Sequence, residues 1–165
     1  DSLRRNLNLY VISENSSGKL TSTNSTIKDN IKIWLNRNKM ISDTIDILDA
    51  KIVNIGIEFE VVADEETNRY QILSDCTQAI KDKFATPPYI GEPIYLTDMY
   101  SALNKVSGVV DTKRINVVRK TGADYSSTKF DIDEALSADG RYLTVPLNVA
   151  VELKFPDTDI KGAIS

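Results

Sequence analysis

A chain of 165 residues, 41% hydrophobic and 27% charged, has room for one ordinary domain or two small lobes sharing a core. Its net charge of −4 and pI near 4.9 argue against a nucleic-acid partner, which needs a basic face. It has no histidine and a single cysteine, Cys76, which removes Ser-His-Asp and Cys-His catalysis, zinc sites that use histidine, and any internal disulfide.

No apolar run is long enough for a membrane span. Asp1-Ser2-Leu3-Arg4-Arg5 lacks the apolar stretch of a signal peptide, so none is expected. Leu7, Leu9 and Val11 alternate with Asn8, Tyr10 and Ile12 and predict a strand. Glu14 to Asn24 is rich in Ser, Thr, Asn and Gly and reads as a loop. Thr26 and Asp29 have capping-box spacing and open a helix that ends near Asn38. Ile27, Ile31, Trp34 and Leu35 share one helical face, so Trp34 and Leu35 are expected to anchor this helix on a sheet.

Thr44 to Leu48 is short and β-branched, hence a strand. From Ile52 to Val62, Val53, Ile55, Ile57, Phe59 and Val61 point one way and Asn54, Gly56, Glu58 and Glu60 the other. That pattern predicts one dry and one wet sheet face. Asp64-Glu65-Glu66 puts negative charge near the start of a second helix, where the macrodipole favours it. Leu73, Cys76, Ile80 and Phe84 form that helix's apolar stripe, and Cys76 reads as core packing.

Pro87-Pro88-Tyr89-Ile90-Gly91-Glu92-Pro93 breaks the chain. A short helix over Leu96 to Lys105 follows, with Gly108 as its stop. Val109 to Arg119 predicts a strand with Ile115 and Val117 inward. Thr121 to Asp139 is a polar excursion too long for a tight hairpin. Leu147, Val149, Val151, Leu153 and Phe155 alternate with polar residues in a last amphipathic strand, which Pro156 ends.

The order predicts an α+β fold of two layers, with helices on one face of a mainly antiparallel or mixed sheet. Three segments follow: a strand-helix-strand lobe over residues 1–50, a larger lobe over 51–156, and a tail over 157–165.

Few residues carry reaction chemistry. Gly18-Lys19 fails as a phosphate loop, because Ser13 stands at the earlier glycine position and Leu20 replaces the metal-binding hydroxyl. Asp131, Asp133, Glu134 and Asp139 fail as an EF-hand counted from Asp131, because Leu136 and Tyr142 occupy the obligatory Gly and Glu positions. No metal, nucleotide, cofactor or small-molecule ligand is expected, and no enzymatic activity. Tyrosines gather in the second half, and Tyr is favoured at protein interfaces. Tyr100 and Tyr142 are therefore candidate partner-binding residues.

One succession of segments looks familiar. Leu7-Asn8-Leu9-Tyr10-Val11 is followed by Trp34-Leu35-Asn36-Arg37-Asn38-Lys39, Ile41-Ser42-Asp43 and the Val53–Val61 strand. Then come Ile90-Gly91-Glu92-Pro93-Ile94-Tyr95-Leu96 and Val106-Ser107-Gly108-Val109-Val110-Asp111, and Glu152-Leu153-Lys154-Phe155-Pro156-Asp157-Thr158-Asp159-Ile160-Lys161-Gly162 closes it. This order resembles the baseplate J-like family of contractile phage tails, over about residues 7 to 162. Within the family the likeness is to the C-terminal part of an inner-ring wedge subunit of T-even-type myophages.

The resemblance implies a structural virion protein of the viral tail baseplate, made in the host cytoplasm. It implies a longer parent chain and a ring that rearranges on sheath contraction. It also implies partners: copies of the same protein and other wedge proteins. The Thr121–Asp139 excursion is not part of the shared pattern. A receptor- or carbohydrate-binding tail module is the alternative reading. Because the resemblance runs past Phe155, the 157–165 tail is expected to dock on a neighbouring copy, with Ile160 as apolar anchor and Asp157 and Asp159 on a polar rim.

Overall fold

The computed structural model describes residues 5–39, 43–64, 66 and 68–165. The chain divides into two units, Asp1–Ile52 and Val53–Ser165. The elements make an α+β fold with mixed sheets, as the sequence pattern predicts. Glu65, Ile41 and Ser42, to which the sequence reading gave roles, lie outside the described residues.

In the first unit, β1 (Arg5–Val11) pairs in parallel with β4 (Asp43–Asp49), with Leu7 beside Ile45 and Leu9 beside Ile47. The crossover between them is α1 (Ser25–Asn38), as a parallel pair requires. Asn24, rather than Thr26, caps this helix: its Oδ1 accepts from the Thr26 N–H at 2.8 Å. The expected loop before it holds a two-residue antiparallel ladder, β2 (Ser13–Glu14) with β3 (Leu20–Thr21). Asn15 Oδ1 accepts from the Ser17 and Lys19 N–H groups there, and Gly18 takes a φ of 71°.

α1 packs on β4. Lys28 Nζ donates to Asp49 Oδ2 at 2.7 Å, and Lys32 Nζ lies 3.6 Å from Asp46 Oδ1. The Lys28 hydrogen bond, joined by one from the Thr23 N–H and opposed by burial, holds the Asp49 carboxyl below its ordinary value.

The second unit is built on β5 (Lys51–Ala63), which starts just before it. β7 (Val109–Arg119) runs antiparallel to β5, with register shifts at Glu60/Val61 and Val62/Ala63 that bend and twist the pair. β9 (Val149–Glu152) and β10 (Ile160–Ile164) also pair with β5, β10 in parallel. The helices α2 (Arg69–Lys83) and α3 (Leu96–Leu103) pack together, α2 on β10 and α3 on β7. Ile55, Ile57 and Val61 of β5, Ile72, Cys76 and Ile80 of α2, and Met99 and Leu103 of α3 form the core. Each such large aliphatic side chain contributes about 1.5–3 kcal/mol by leaving water. Burial, with the Asp75 charge adding to it, pushes the Cys76 thiol up to about 11.

Smaller elements complete the unit. β6 (Ile94–Tyr95) and β8 (Tyr142–Leu143) form a short antiparallel ladder. α4 (Ile132–Ala135) is capped by Asp131, whose Oδ1 accepts from the Asp133 and Glu134 N–H groups. α5 (Pro156–Asp159) is one turn between β9 and β10.

Three expectations are corrected. Residues 157–165 are not a separate tail: α5 turns the chain at Pro156 and β10 joins the β5 sheet, so the segment belongs to the second unit. The last strand is not amphipathic, since Val149, Ala150, Val151 and Glu152 are all buried, while Leu147 is exposed. And the wet face of β5 is wet only beyond Gly56. Asn54 is buried because the stretch after β7 folds over it: the Lys120 N–H donates to its carbonyl, and the Ser126 N–H to its side chain.

Trp34 is the fourth correction. It is 64% exposed, and α1 has no buried residue. The stripe is real, but a two-stranded sheet covered by α1 over β4 is too narrow to bury it. Trp34→Ala should therefore change the unfolding free energy of the monomeric chain by about 0.5 kcal/mol or less. A urea titration followed by far-UV circular dichroism measures this; a loss of several kcal/mol would show the indole buried.

Candidate functional site

The five candidate partner-binding residues do not form one surface. Tyr100, on α3, is half-buried, and its hydroxyl accepts from the Ile115 N–H at 3.0 Å. It ties α3 to β7. Tyr142, on β8, is 40% exposed and packs beside Tyr95, with ring centroids 6.1 Å apart. Asp157 is exposed and ion-pairs with Lys81 of α2 at 2.5 Å. Asp159 and Ile160 are buried within their own unit. Ile160 lies beside Ile57, so the anchor expected to reach a neighbouring copy is already seated in the chain's own sheet.

Asp159 instead belongs to a buried polar cluster. Its Oδ1 accepts from the Tyr125 hydroxyl at 2.7 Å and lies 3.6 Å from Lys120 Nζ. Its Oδ2 accepts from the Phe155 N–H at 3.2 Å. The Tyr125 ring meets Phe155 edge-on at 5.6 Å. That hydrogen bond to the carboxylate, aided by burial and the Asp159 charge, raises the Tyr125 phenol above its ordinary value. On the same side of β5, Asn54 Nδ2 donates to Glu152 Oε2 at 2.9 Å, and Lys154 Nζ donates to the Asp124 carbonyl.

These bonds join the post-β7 excursion, β5 and the C-terminal segment. Every buried side-chain polar atom among the described residues has a partner, the condition under which a buried network rigidifies a fold. The Asp159 carboxylate is closed off from solvent, at 1% exposure. Its arrangement is a clasp, and it explains what the Thr121–Asp139 excursion does locally.

A groove of about 260 Å³ lies between α2 and α3, lined by Phe84, Pro87, Tyr89, Tyr95, Asp98 and Met99. It falls below the usual size of a small-molecule site, whereas an open hollow of about 490 Å³ lined by Phe130, Asp131, Glu134, Ala135 and Thr144 lies within that range. Among the described residues no three Cys, Asp or Glu side chains gather where they could share a metal ion.

The most unusual surface is in the first unit. Leu7 is 50% exposed, Leu9 41%, Ile27 50%, Ile33 54% and Trp34 64%. Parallel strands are normally covered on both faces, and two strands with one helix make a minimal sheet. α1 sits over β4, with Lys28 and Lys32 on that side. Ile27 and Trp34 lie across the helix from Lys32, toward β1. Leu7 and Leu9 share the sheet face of Ile45, the one buried residue of β4. The result is an apolar step: the bare face of β1 and the bare flank of α1, beside the edge of β1 that pairs with no strand among the described residues.

Sequence reasoning missed this step and the clasp. Alternation in β1 and the stripe of α1 were visible, but periodicity says which residues share a face and not whether anything covers it. Asn54 gave no signal, since it has the parity of Glu58 and Glu60, which do face water or the sheet margin. No protein-family model matches the chain, and no curated protein matches it.

Proposed function

We propose that this chain is a structural subunit of a contractile phage tail baseplate, part of the wedge and inner ring. It mediates protein–protein assembly, does no catalysis, and rearranges with the ring when the sheath contracts. Its partners are further copies of itself and other wedge proteins. The order of segments that resembles the baseplate J-like family names the system. The observation that carries an assembly role is the apolar step of the first unit, since exposed contiguous apolar surface marks interaction sites.

A second reading, a receptor- or carbohydrate-binding tail module, draws on Trp34, Tyr70 and Tyr89, which are all strongly exposed and suit ring stacking. One experiment separates the two. Antibodies raised against residues 53–165 should label the baseplate of purified tails from the phage that encodes the chain, viewed by electron microscopy. Label at fibre tips would favour the receptor reading. No label on the tail would defeat both.

A further inference from the structure

We infer that the apolar step of the first unit is a self-association surface, on which two copies of this chain pair β1 with β1 about a two-fold axis. The inference deepens the assembly reading by naming the surface and its occupant.

The step is self-complementary. The edge of β1 left unpaired among the described residues and the bare flank of α1 lie on the same side, which is what a two-fold contact demands: one patch must meet itself. Antiparallel pairing of two β1 strands gives a four-stranded sheet in the order β4-β1-β1-β4. The two α1 helices then stand over the outer strands, about 14 Å apart at a strand spacing near 4.8 Å. Directly packed helices sit about 8–10 Å apart. The gap lies above Leu7 and Leu9 of both copies and is flanked by Ile27 and Trp34. A pair of indoles is the right filling for it.

Charge selects this pairing over its rivals. β4 carries Asp43, Asp46 and Asp49, so two β4 edges would set carboxylates against each other. β1 carries one charge, Arg5, at its start. Antiparallel pairing centred on Asn8 sends the two Arg5 side chains to opposite ends. The exposed parts of Leu7, Leu9, Ile27 and Trp34 amount to roughly 400 Å² of apolar surface per copy, about half of what each partner buries in a stable interface. The strand edge and its asparagines supply further area.

Sedimentation equilibrium of the whole chain over a wide concentration range tests the proposal. The expected result is a monomer–dimer equilibrium. Trp34→Glu, at a site exposed in the single chain, should weaken the dimer roughly thirtyfold, as for a central aromatic anchor. Tyr70→Glu, outside the step and 87% exposed, should leave it unchanged. Asn8→Cys should crosslink the dimer on mild oxidation, because directly opposed antiparallel residues lie about 4.5–5.5 Å apart at Cα. The native thiol, Cys76, is buried and will not compete.

A chain that stays monomeric overturns the inference and assigns the step to a different polypeptide. So does a dimer that ignores Trp34→Glu and fails to crosslink through residue 8. Either failure concerns this surface alone, whereas the baseplate reading stands or falls on the labelling of tails.

Discussion

Asp159→Ala is expected to destabilise the chain by about 3–5 kcal/mol, the cost of breaking a buried charge pair from one side. The carboxylate is 1% exposed. Its loss strips Tyr125 and the Phe155 N–H of their acceptor and leaves Lys120 without this counter-ion. The urea midpoint, followed by circular dichroism, should fall accordingly, and a change under about 1 kcal/mol would show that the clasp contributes little. Asp159→Asn keeps an acceptor and should cost less. Tyr125→Phe should cost about 1.5–3 kcal/mol, the worth of a hydrogen bond to a charged group.

The pH dependence has a definite sign. The folded chain raises the Tyr125 phenol above its ordinary 10.0. The associated stability is complete below that ordinary value and is lost as pH rises through the folded one. Wild type should therefore lose stability on strong alkalinisation more steeply than Tyr125→Phe does.

Gly162→Val is expected to cost about 3 kcal/mol, the upper end for overpacking a filled core. Gly162 lies in β10 beside Phe59 of β5. A Cβ built there would run into the Phe59 ring, and its closest approach to Leu73 of α2 is 2.5 Å. The Phe59 ring is 3% exposed and packed within the core, so the expected relief is an outward shift of β10 that loosens its ladder with β5. Thermal unfolding of Gly162→Val against Gly140→Ala compares a blocked site with an open one, for nothing lies within 4 Å of a Cβ at Gly140. The Gly140 change carries only the strain of its positive φ. Equal melting shifts would show that crowding at Gly162 is relieved cheaply.

The fold was legible where one residue's environment is set by its neighbours in sequence. The five inward apolar residues of β5 announce a half-buried strand. Leu96, Met99 and Leu103 announce α3, and Gly108, with a φ of 87°, stands just before β7 as a stop residue should. β7 occupies Val109 to Arg119 as its alternation predicts.

Legibility failed where burial depends on a distant segment. Asn54 looks like a wet-face residue until the excursion folds across it, and Glu152 until it pairs with the buried Asn54. Ile160 looks like a spare anchor until α5 turns it back onto β5. Trp34 looks like core because a helical stripe normally faces something. Whether that something exists is decided by how many strands the sheet has, which no local pattern encodes. The candidate site followed the same rule: tyrosines were chosen by composition, while the open step arose from the narrowness of the β1–β4 sheet.

The parallel seating of β10 has a consequence for biosynthesis. Ile160 lies beside Ile57, roughly a hundred residues earlier, and such non-local pairings form late because loop closure must come first. During translation β5 emerges roughly a hundred residues before the strand that pairs this edge. A nascent chain halted anywhere before residue 160 presents an unprotected strand, the condition that recruits chaperones or drives aggregation.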